Sequence, residues 1–248
     1  MRCSNMLAGW ILALLPLAAS AMTADELIQK NIEARGGLAA IQAVKSVVLT
    51  GKFRGGGGFE ADFVQKTARP GMLRNEFSLQ GMTQIQAYDG KDAWQISPFG
   101  GRKDPDKLPD DLKKVFQVQA DLDGPLIDYA TKGNKVEYLG TEDVDGTLAH
   151  KLKVTLATGN EITYFFDPDY FLEIRTQSKT FVRGTEQESE TDLGDYEKIN
   201  GVYFPMAIDS GAKGSSSDEK GKVEVTNVEV NTALDQAQFA FPATKAKP

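Results

Sequence analysis

The residues that could perform chemistry are few and lie far apart in the sequence. His150 is the only histidine, and alternation places it on the same strand face as Leu148, Leu152 and Val154, where a structural histidine is more common than a metal ligand. No serine or cysteine nucleophile motif stands beside it, so neither a catalytic triad nor a cysteine–histidine pair is indicated. We therefore predict no catalytic residue.

Two other patterns match parts of known motifs. Residues 217–220 read Ser-Asp-Glu-Lys, but the companion motifs of the Ser-x-x-Lys enzymes are absent and the match lies in a Gly/Ser-rich loop. Asp-x-Asp-Gly occurs at residues 121–124 and 143–146 without the further ligands and the glutamate that complete a calcium loop. A helix end and a turn are the simpler interpretations, and we expect neither a metal nor a cofactor.

The charge balance excludes some classes of partner. The chain has 28 basic and 35 acidic residues, which is a formal net charge of −7, and it contains no run of basic residues. Such a chain lacks the electrostatic surface that nucleic acids and anionic lipid headgroups attract. We expect no nucleic-acid partner and no stable insertion into a membrane.

Residues 1–21 have the pattern of a secretory signal peptide. One cation precedes an apolar run, and a small-residue cleavage signal follows it. The run, residues 6–17, is too short to span ~30 Å of hydrocarbon as a helix. Cleavage would remove Cys3, the only cysteine, so the mature chain must depend on its core and not on disulfides. We expect a periplasmic, monomeric protein in which residues 22–248 form one domain.

Two helices are predicted ahead of the strands. Thr23 and Glu26 form a capping box that opens the first helix, and Gly36-Gly37 ends it. Residues 38–44 carry a second, short apolar stripe at helical spacing. Both helices are amphipathic, so another element must cover their apolar faces.

From residue 46 the apolar residues recur at every second position, which is the period of a strand. Residues 61–98 predict four antiparallel strands in succession. The turns that join them lie at Pro70-Gly71, Gln80-Gly81 and Asp89-Gly90, the last as a two-residue hairpin. Strands resume at residue 135 and continue to residue 230, with a polar loop at 211–221 and a β-bulge near Thr226 or Asn227.

The segment 99–133 interrupts this series. Pro105 and Pro109 introduce a helix whose apolar residues recur at close to helical spacing, and we interpret the segment as a helical lid over the apolar side of the sheet. The whole pattern contains about eleven strands and two or three helices, and strands without interleaved helices exclude a doubly wound fold. A mainly β (α+β) fold is predicted, with a curved antiparallel sheet or open barrel around the helices.

Two pieces of the strand region have a counterpart in a known family. Arg69-Pro70 ends one strand, and residues 89–98, DGKDAWQISP, follow two strands later. This order and spacing resembles the periplasmic outer-membrane lipoprotein carriers of the LolA type, and the resemblance extends weakly through residues 151–174 and 195–208. It implies an incomplete β-barrel whose concave apolar face is closed by helices. It also implies an acylated lipoprotein or lipid as ligand, and envelope proteins that deliver and receive it.

The resemblance gives Arg69 a specific role. In the family, the arginine of the Arg-Pro pair bonds to backbone carbonyls of the lid helices and holds the empty cavity shut. A solvated turn arginine is the alternative interpretation. Arg74 is a nearby competitor for the same role.

The candidate ligand-binding set consists of apolar residues on elements that we expect to face one another. They are Trp94, Ile96, Phe116, Leu122, Ile127 and Tyr129. They form either an ordinary closed core or a cavity that an acyl chain can enter between the sheet and the helices. We predict a non-enzymatic carrier. The alternative is an envelope sensor or accessory module that binds another protein through its sheet edge or convex face.

Overall fold

The computed structural model describes residues 22–242. The predicted signal peptide lies outside the described residues. The described part has three α-helices, α1 (Ala24–Ala34), α2 (Leu38–Ala43) and α3 (Asp110–Gln119), and fifteen strands. The strands are β1 Ser46–Gly55, β2 Phe59–Ala68, β3 Met72–Leu79, β4 Met82–Tyr88, β5 Ala93–Ser97, β6 Arg102–Lys107, β7 Lys135–Val144, β8 Thr147–Thr155, β9 Glu161–Phe166, β10 Glu173–Val182, β11 Thr185–Gly194, β12 Glu197–Ile199, β13 Val202–Phe204, β14 Ala207–Ala212 and β15 Gly221–Val230.

Thirteen of these strands form one antiparallel sheet in the order β6-β5-β4-β3-β2-β1-β15-β14-β11-β10-β9-β8-β7. Strands β12 and β13 form a separate two-stranded hairpin. In the described structure β6 and β7 stand at opposite ends of the order and do not pair with each other, so the sheet is an incomplete barrel. The mainly β fold with an open, curved sheet is confirmed, although the strands outnumber the eleven predicted.

Several strand boundaries differ from the prediction. The segment 99–133 was predicted to be helical, but it begins with β6, where Pro105 is tolerated because an edge strand pairs on one side only. The predicted strand series from residue 135 to residue 230 leaves the main sheet at residues 195–206, where the chain forms the β12–β13 hairpin. The predicted loop at 211–221 is shorter than expected, because β14 continues into it.

Turn chemistry decides how the first strands are joined. At Gln80-Gly81 both residues have positive φ, 50° and 77°, which is the type I′ geometry of a two-residue hairpin. The predicted two-residue hairpin at Asp89-Gly90 is wrong, because residues 89–92 all lie in the connection between β4 and β5. There, Asp89 Oδ1 accepts hydrogen bonds from the amides of Lys91 (2.9 Å) and Asp92 (2.7 Å), which stabilises the longer turn.

The predicted bulge is confirmed in β15. Thr50 pairs with Asn227 and Gly51 with Val225, so Thr226 is the extra residue. A side chain at Gly51 would collide with the backbone of the facing strand, which explains the glycine. A bulge bends its strand and increases the local twist, and this one lies near the middle of the sheet, where bending helps the sheet to curl.

Helices α1 and α2 lie inside this curl. Their buried residues share one apolar cluster with residues of β1 and β15 and with residues of β8 and β9. The buried helical members are Leu27, Ile28, Ile32 and Ile41, and Val44, which follows α2, is buried with them. Because β1 and β8 are far apart in the strand order, the sheet must curve around the helices for both strands to reach them.

Helix α3 covers another part of the concave face. Its buried Phe116 packs against strands β3, β4 and β5. In its first turn, Asp111 accepts a hydrogen bond from the amide of Arg183 at 2.5 Å, and Arg183 lies in the turn between β10 and β11. These strands are distant from β3 in the strand order, so α3 bridges the opening between two parts of the sheet. Residues 22–242 contain no helix that is long and apolar enough to cross a membrane.

Helix α1 is fastened to the sheet around Phe171. The buried Asn31 donates a hydrogen bond to the carbonyl of Phe171 at 2.9 Å, and the ring of His150 stacks on that of Phe171 with centroids 5.8 Å apart. The hydroxyl of Tyr138 lies 3.0 Å from Nδ1 of His150. Burial lowers the pKa of His150, and the charge of Lys30 lowers it further.

We expect this histidine to make stability depend on pH. Its pKa in the folded protein lies below the ordinary value of 6.5. Between the pKa of the folded protein and the ordinary pKa, the unfolded chain binds a proton that the folded protein does not. The free energy of unfolding therefore rises with pH across this window. Thermal melts should show the melting temperature of the wild type falling as the pH drops below 6.5, and H150Q should have a flatter profile. Equal slopes for the two proteins would contradict this account.

Candidate functional site

Arg69 lies where strand β2 meets the helices. It follows the last residue of β2, its peptide bond to Pro70 is cis, and its amide donates to the carbonyl of Lys45 at 2.9 Å. Its Nε donates to the carbonyl of Val44 at 2.7 Å and its Nη2 to that of Ile41 at 3.4 Å. These carbonyls are at the end of α2, where the last C=O groups lack partners within the helix. The Arg69 side chain therefore caps α2.

The same guanidinium binds the carboxylate of Asp123. Nη1 lies 2.9 Å from Oδ2 and Nη2 lies 2.5 Å from Oδ1, which is the two-point geometry that makes arginine–carboxylate pairs strong and directional. Asp123 belongs to the connection that follows α3. One side chain therefore joins β2, the end of α2 and the connection after α3.

The pair is partly shielded from water, with side-chain exposures of 32% for Arg69 and 20% for Asp123. Hydrogen bonding to Arg69 holds the pKa of Asp123 below its ordinary value of 3.8, against the opposing effect of burial, and the charges of Lys132 and Arg35 act in the same direction as Arg69. Hydrogen bonding to Asp123 raises the pKa of Arg69 in turn. Because the pKa of Asp123 is lowered and that of Arg69 is raised, both groups are ionised near neutral pH, and a change of pH in that range does not break the pair.

Two cavities meet at residues 122–125. The first, of about 260 Å³, lies between α2, this segment and the β12–β13 hairpin. The second, of about 580 Å³, lies between Arg69-Pro70, the end of α3 and residues 156–158. Leu122 and Pro125 line both cavities. Residues 122–125, which we call the partition, therefore separate the two cavities, and Arg69 holds the partition through Asp123.

Two further side chains hold the partition. Lys132 Nζ donates to Asp121 Oδ2 at 2.5 Å and to the carbonyl of Gly124 at 2.7 Å, and Asn134 Nδ2 donates to the carbonyl of Pro125 at 3.0 Å. A hydrogen bond contributes about 0.5–1.5 kcal/mol net between neutral groups and about 1.5–3 kcal/mol to a charged group, because water replaces it when it breaks. The polar contacts of the partition are therefore few and can be replaced by water, while its Leu122 also packs against the main apolar cluster.

Three of the predicted ligand-binding residues lie together near the partition. Leu122 lines both cavities, and Ile127 is 2% exposed within the main apolar cluster. Tyr129 packs against that cluster, and its hydroxyl donates to Asp25 at 2.8 Å. Phe116 belongs to the separate cluster under α3 and lines a third cavity of about 390 Å³.

Trp94 and Ile96 lie on the other face of the sheet, so their predicted placement opposite the helices is wrong. Ala93 belongs to the cluster under α3, and alternation turns Trp94 and Ile96 away from that helix. The indole of Trp94 donates to the carbonyl of Phe239 at 2.8 Å, and its ring lies edge-on to that of Phe241. Alternation shows which residues share a face, but it does not show which element covers that face.

Arg74 also lies on this outer face. Its Nε donates to Glu76 at 2.6 Å, its Nη1 donates to the carbonyl of Gln238 at 2.7 Å, and its guanidinium lies 5.7 Å from the ring of Trp94. None of these partners belongs to α1, α2 or α3. Between the two candidates for the locking role, Arg69 is the one whose hydrogen bonds reach a helix.

Sequence reasoning did not identify Asp123 as the partner of Arg69. The Asp-x-Asp-Gly pattern at residues 121–124 predicts a helix end, and it does follow α3. Nothing local in the pattern points to an arginine that lies 54 positions earlier in the chain. The available signal is electrostatic, since a charged group that is taken out of water is usually paired with an opposite charge. Within residues 22–242, no group of three or more His, Cys, Asp or Glu is arranged to hold a metal ion.

Comparisons with known proteins add the fold class. No family model and no curated protein matches the sequence. Among solved structures, the fold is similar to a LolA superfamily protein from Nitrosomonas europaea, with 14% identity and a TM-score of 0.57 over 89% of this chain and 98% of that chain. It is also similar to a putative outer membrane lipoprotein-sorting protein domain from Vibrio parahaemolyticus, with 9% identity and a TM-score of 0.54 over 86% of this chain and 94% of that chain.

A third similar structure is a protein of a family of unknown function from Desulfovibrio piger, with 13% identity and a TM-score of 0.53 over 88% of this chain and 97% of that chain. At these identities the similarity establishes the fold. The chain has a LolA-like fold, as the Arg-Pro pair and the DGKDAWQISP run predicted.

We expect Arg69 and Asp123 to be energetically coupled. A double-mutant cycle of R69Q, D123N and the double variant, measured by urea unfolding, should give a coupling energy of about 1.5–3 kcal/mol, since the bond joins two charged groups partly shielded from water. The control cycle uses R54Q and E60Q, an ion pair whose side chains are 59% and 49% exposed, and should give at most ~1 kcal/mol. A coupling energy for Arg69 and Asp123 no larger than that of the control would show that the pair does not hold the partition.

Proposed function

We propose that the protein is a periplasmic carrier that encloses the acyl chains of a lipoprotein or lipid between its sheet and its helices, for transfer to the outer membrane. The observation that supports this most strongly is the partition. It is a segment fastened by polar contacts between two cavities, and it is held by the arginine that the family resemblance singles out. The wall of the smaller cavity is largely apolar, and the wall of the larger one combines apolar residues with charged ones such as Arg69, Asp121 and Lys132.

The energetics of lipid transfer favour such an arrangement. Each acyl CH₂ left in water costs about 0.8 kcal/mol, so a long chain represents on the order of 10 kcal/mol. Moving the partition breaks a few hydrogen bonds worth about 1–3 kcal/mol each and separates Leu122 from the main apolar cluster. Burial of a chain can therefore offset the opening of the partition, and the same contacts can re-form when the chain leaves.

The size of the space also suits a ligand. Small-molecule sites usually enclose about 300–1,000 Å³, and the cavity beside Arg69 measures about 580 Å³. The cavity of about 260 Å³ adjoins it across the partition. Displacing the partition would join the two into one longer space beneath the helices.

Binding and release of this kind involve no covalent step, so the proposed function is not enzymatic. The predicted signal peptide at residues 1–21 supports a periplasmic location. Delivery and collection of the cargo call for a donor and an acceptor in the envelope, and we propose such partners for this chain.

Arg69 provides the test of this proposal. R69L should weaken the hold on the partition, so a hydrophobic fluorescent probe should bind the unliganded protein more tightly, and release of a bound acylated peptide to acceptor vesicles should slow. D123N should change both measurements in the same direction, which guards against a folding defect specific to R69L. R54L is the matched control, because it removes an exposed arginine from the same sheet, and it should behave like the wild type. The proposed role of Arg69 would be refuted if R69L and D123N gave the same results as R54L in both assays.

One feature favours the alternative function of an envelope protein-binding module. Strand β7, ten residues long, stands at the end of the sheet and pairs only with β8 among the described strands, and Leu139 on it is 43% exposed. An exposed edge strand can accept a strand from another protein. A module of this kind should not bind the hydrophobic probe, so the same assay separates the two functions.

A further inference from the structure

Arg35 carries a charge that forms no ion pair among the described residues, although that charge helps to lower the pKa of Asp123. Arg54, Arg69, Arg74 and Arg175 each bond to a carboxylate. The half-buried guanidinium of Arg35 makes no hydrogen bond and no ion pair with any residue in 22–242. It lines the cavity of about 260 Å³, and a methyl group placed on Gly124 of the partition would lie 3.9 Å from Arg35 Nη1.

The backbone at this position is held from two sides. The amide of Arg35 donates to the carbonyl of Asn31 at the end of α1, and the carbonyl of Arg35 accepts from the amide of Tyr203 in β13 at 3.0 Å. Gly36, which follows, has a φ of 122° and has no room for a side chain beside the backbone of Gly201. Helix α1 and the β12–β13 hairpin thus determine where the guanidinium can reach.

A carboxylate lines the same cavity. Glu173 contributes to its wall, and the hydroxyl of Tyr196 donates to the carbonyl of Glu173 at 2.8 Å and lies 3.5 Å from its Oε2. No cation of the described residues pairs with this carboxylate. Burial raises the pKa of Tyr196, the charge of Glu173 raises it further, and the charge of Arg35 opposes the rise. Both charges therefore act on the same buried hydroxyl.

Most of the remaining wall is apolar. Its members include Ile41, Val44, Leu122, Leu126, Val202 and Phe204. An apolar cavity of about 150 Å³ is enough to bind benzene, so a cavity of about 260 Å³ can hold a segment of an alkyl chain. The larger cavity lies on the other side of the partition. When the partition is displaced, the rest of a long alkyl chain can lie there. One unpaired cation, one unpaired anion and an apolar wall together match an amphiphile with two opposite charges in its head.

We infer that this cavity binds the zwitterionic head of a phosphate-containing amphiphile, with the phosphate on Arg35, the ammonium group on Glu173 and the chain along the apolar wall. Guanidinium groups match phosphate oxygens in geometry and charge. A purely anionic head would be attracted by Arg35 but repelled by Glu173. A purely cationic head would be attracted by Glu173 but repelled by Arg35. The inference rests on the proposed carrier function and adds the class of ligand: a phospholipid or lysophospholipid of the ethanolamine or choline type.

Amphiphiles that share a chain and differ in the head test this inference. Each is titrated below its critical micelle concentration against a bound hydrophobic fluorescent probe. The four are dodecylphosphocholine, dodecyl phosphate, dodecyltrimethylammonium and dodecanol. We expect the wild type to bind the zwitterion about tenfold more tightly than the alcohol, a difference of about 1.4 kcal/mol. A short-chain diacyl phosphatidylcholine, tested in the same way, distinguishes a diacyl from a monoacyl source.

Variants assign the two charges. Relative to dodecanol, R35Q should bind the two phosphate-bearing amphiphiles more weakly than the wild type does, and E173Q should bind the two ammonium-bearing amphiphiles more weakly. Both variants should bind dodecanol as the wild type does. The exposed-residue control R54Q should match the wild type with all four. Equal affinity of the wild type for the four amphiphiles would overturn the headgroup site and leave a chain-binding carrier. If none of the four amphiphiles binds, both the headgroup site and the carrier function are overturned. If R35Q loses as much affinity for dodecanol as for the zwitterion, the headgroup site is refuted.

Discussion

The guanidinium of Arg69 fixes the relative positions of elements that apolar contact alone cannot orient. The helices cover the concave face of the sheet through hydrophobic burial, which is strong but non-directional. Arg69 adds direction, because its fork of donors reaches the carbonyls at the end of α2 and both oxygens of Asp123. The position of the partition depends on this set of bonds, and the partition in turn separates the two cavities.

The two kinds of contact imply different mobility. Helices α1 and α2 share their core with β1, β15, β8 and β9, and exposing that surface would cost about 25 cal/mol per Å² of apolar area. The partition is fastened by hydrogen bonds from Arg69, Lys132 and Asn134, and its Leu122 packs against the same core. Local opening takes place where few apolar contacts must be broken. The partition should therefore move while the helices stay in place, and the headgroup site at Arg35 lies directly beside it.

Much of the fold follows from the sequence, because local chemistry determines it. The Thr23–Glu26 capping box, the hairpin at Gln80-Gly81 and the bulge at Thr226 each depend on residues within a few positions of one another, and each is present in the structure. The turn at Asp89 departs from the prediction because its carboxylate caps two amides further along the loop. Strand β6 was not predicted because Pro105 lies within it, and a proline is usually unfavourable in a strand. An edge strand tolerates the proline.

The candidate site was less predictable because long-range pairing creates it. The position of Arg69 could be read from a motif, but its partner Asp123 comes from another element and another part of the chain. Trp94 and Ile96 share a face as predicted, yet that face is covered by the C-terminal segment and not by the helices. The strand pattern did not indicate that Arg35 and Glu173 line one cavity, because the α1 cap and β10 meet only when the sheet curls.

Native mass spectrometry of the mature protein, purified gently from the envelope of a Gram-negative host, tests most directly whether the cavities hold a lipid. The carrier mechanism predicts an additional bound mass that fits a phospholipid, a lysophospholipid or an acylated peptide, and recovery of that mass when the stripped protein is incubated with the same compound. A clean unliganded mass that persists after incubation with lipid and with acylated peptide would contradict the mechanism.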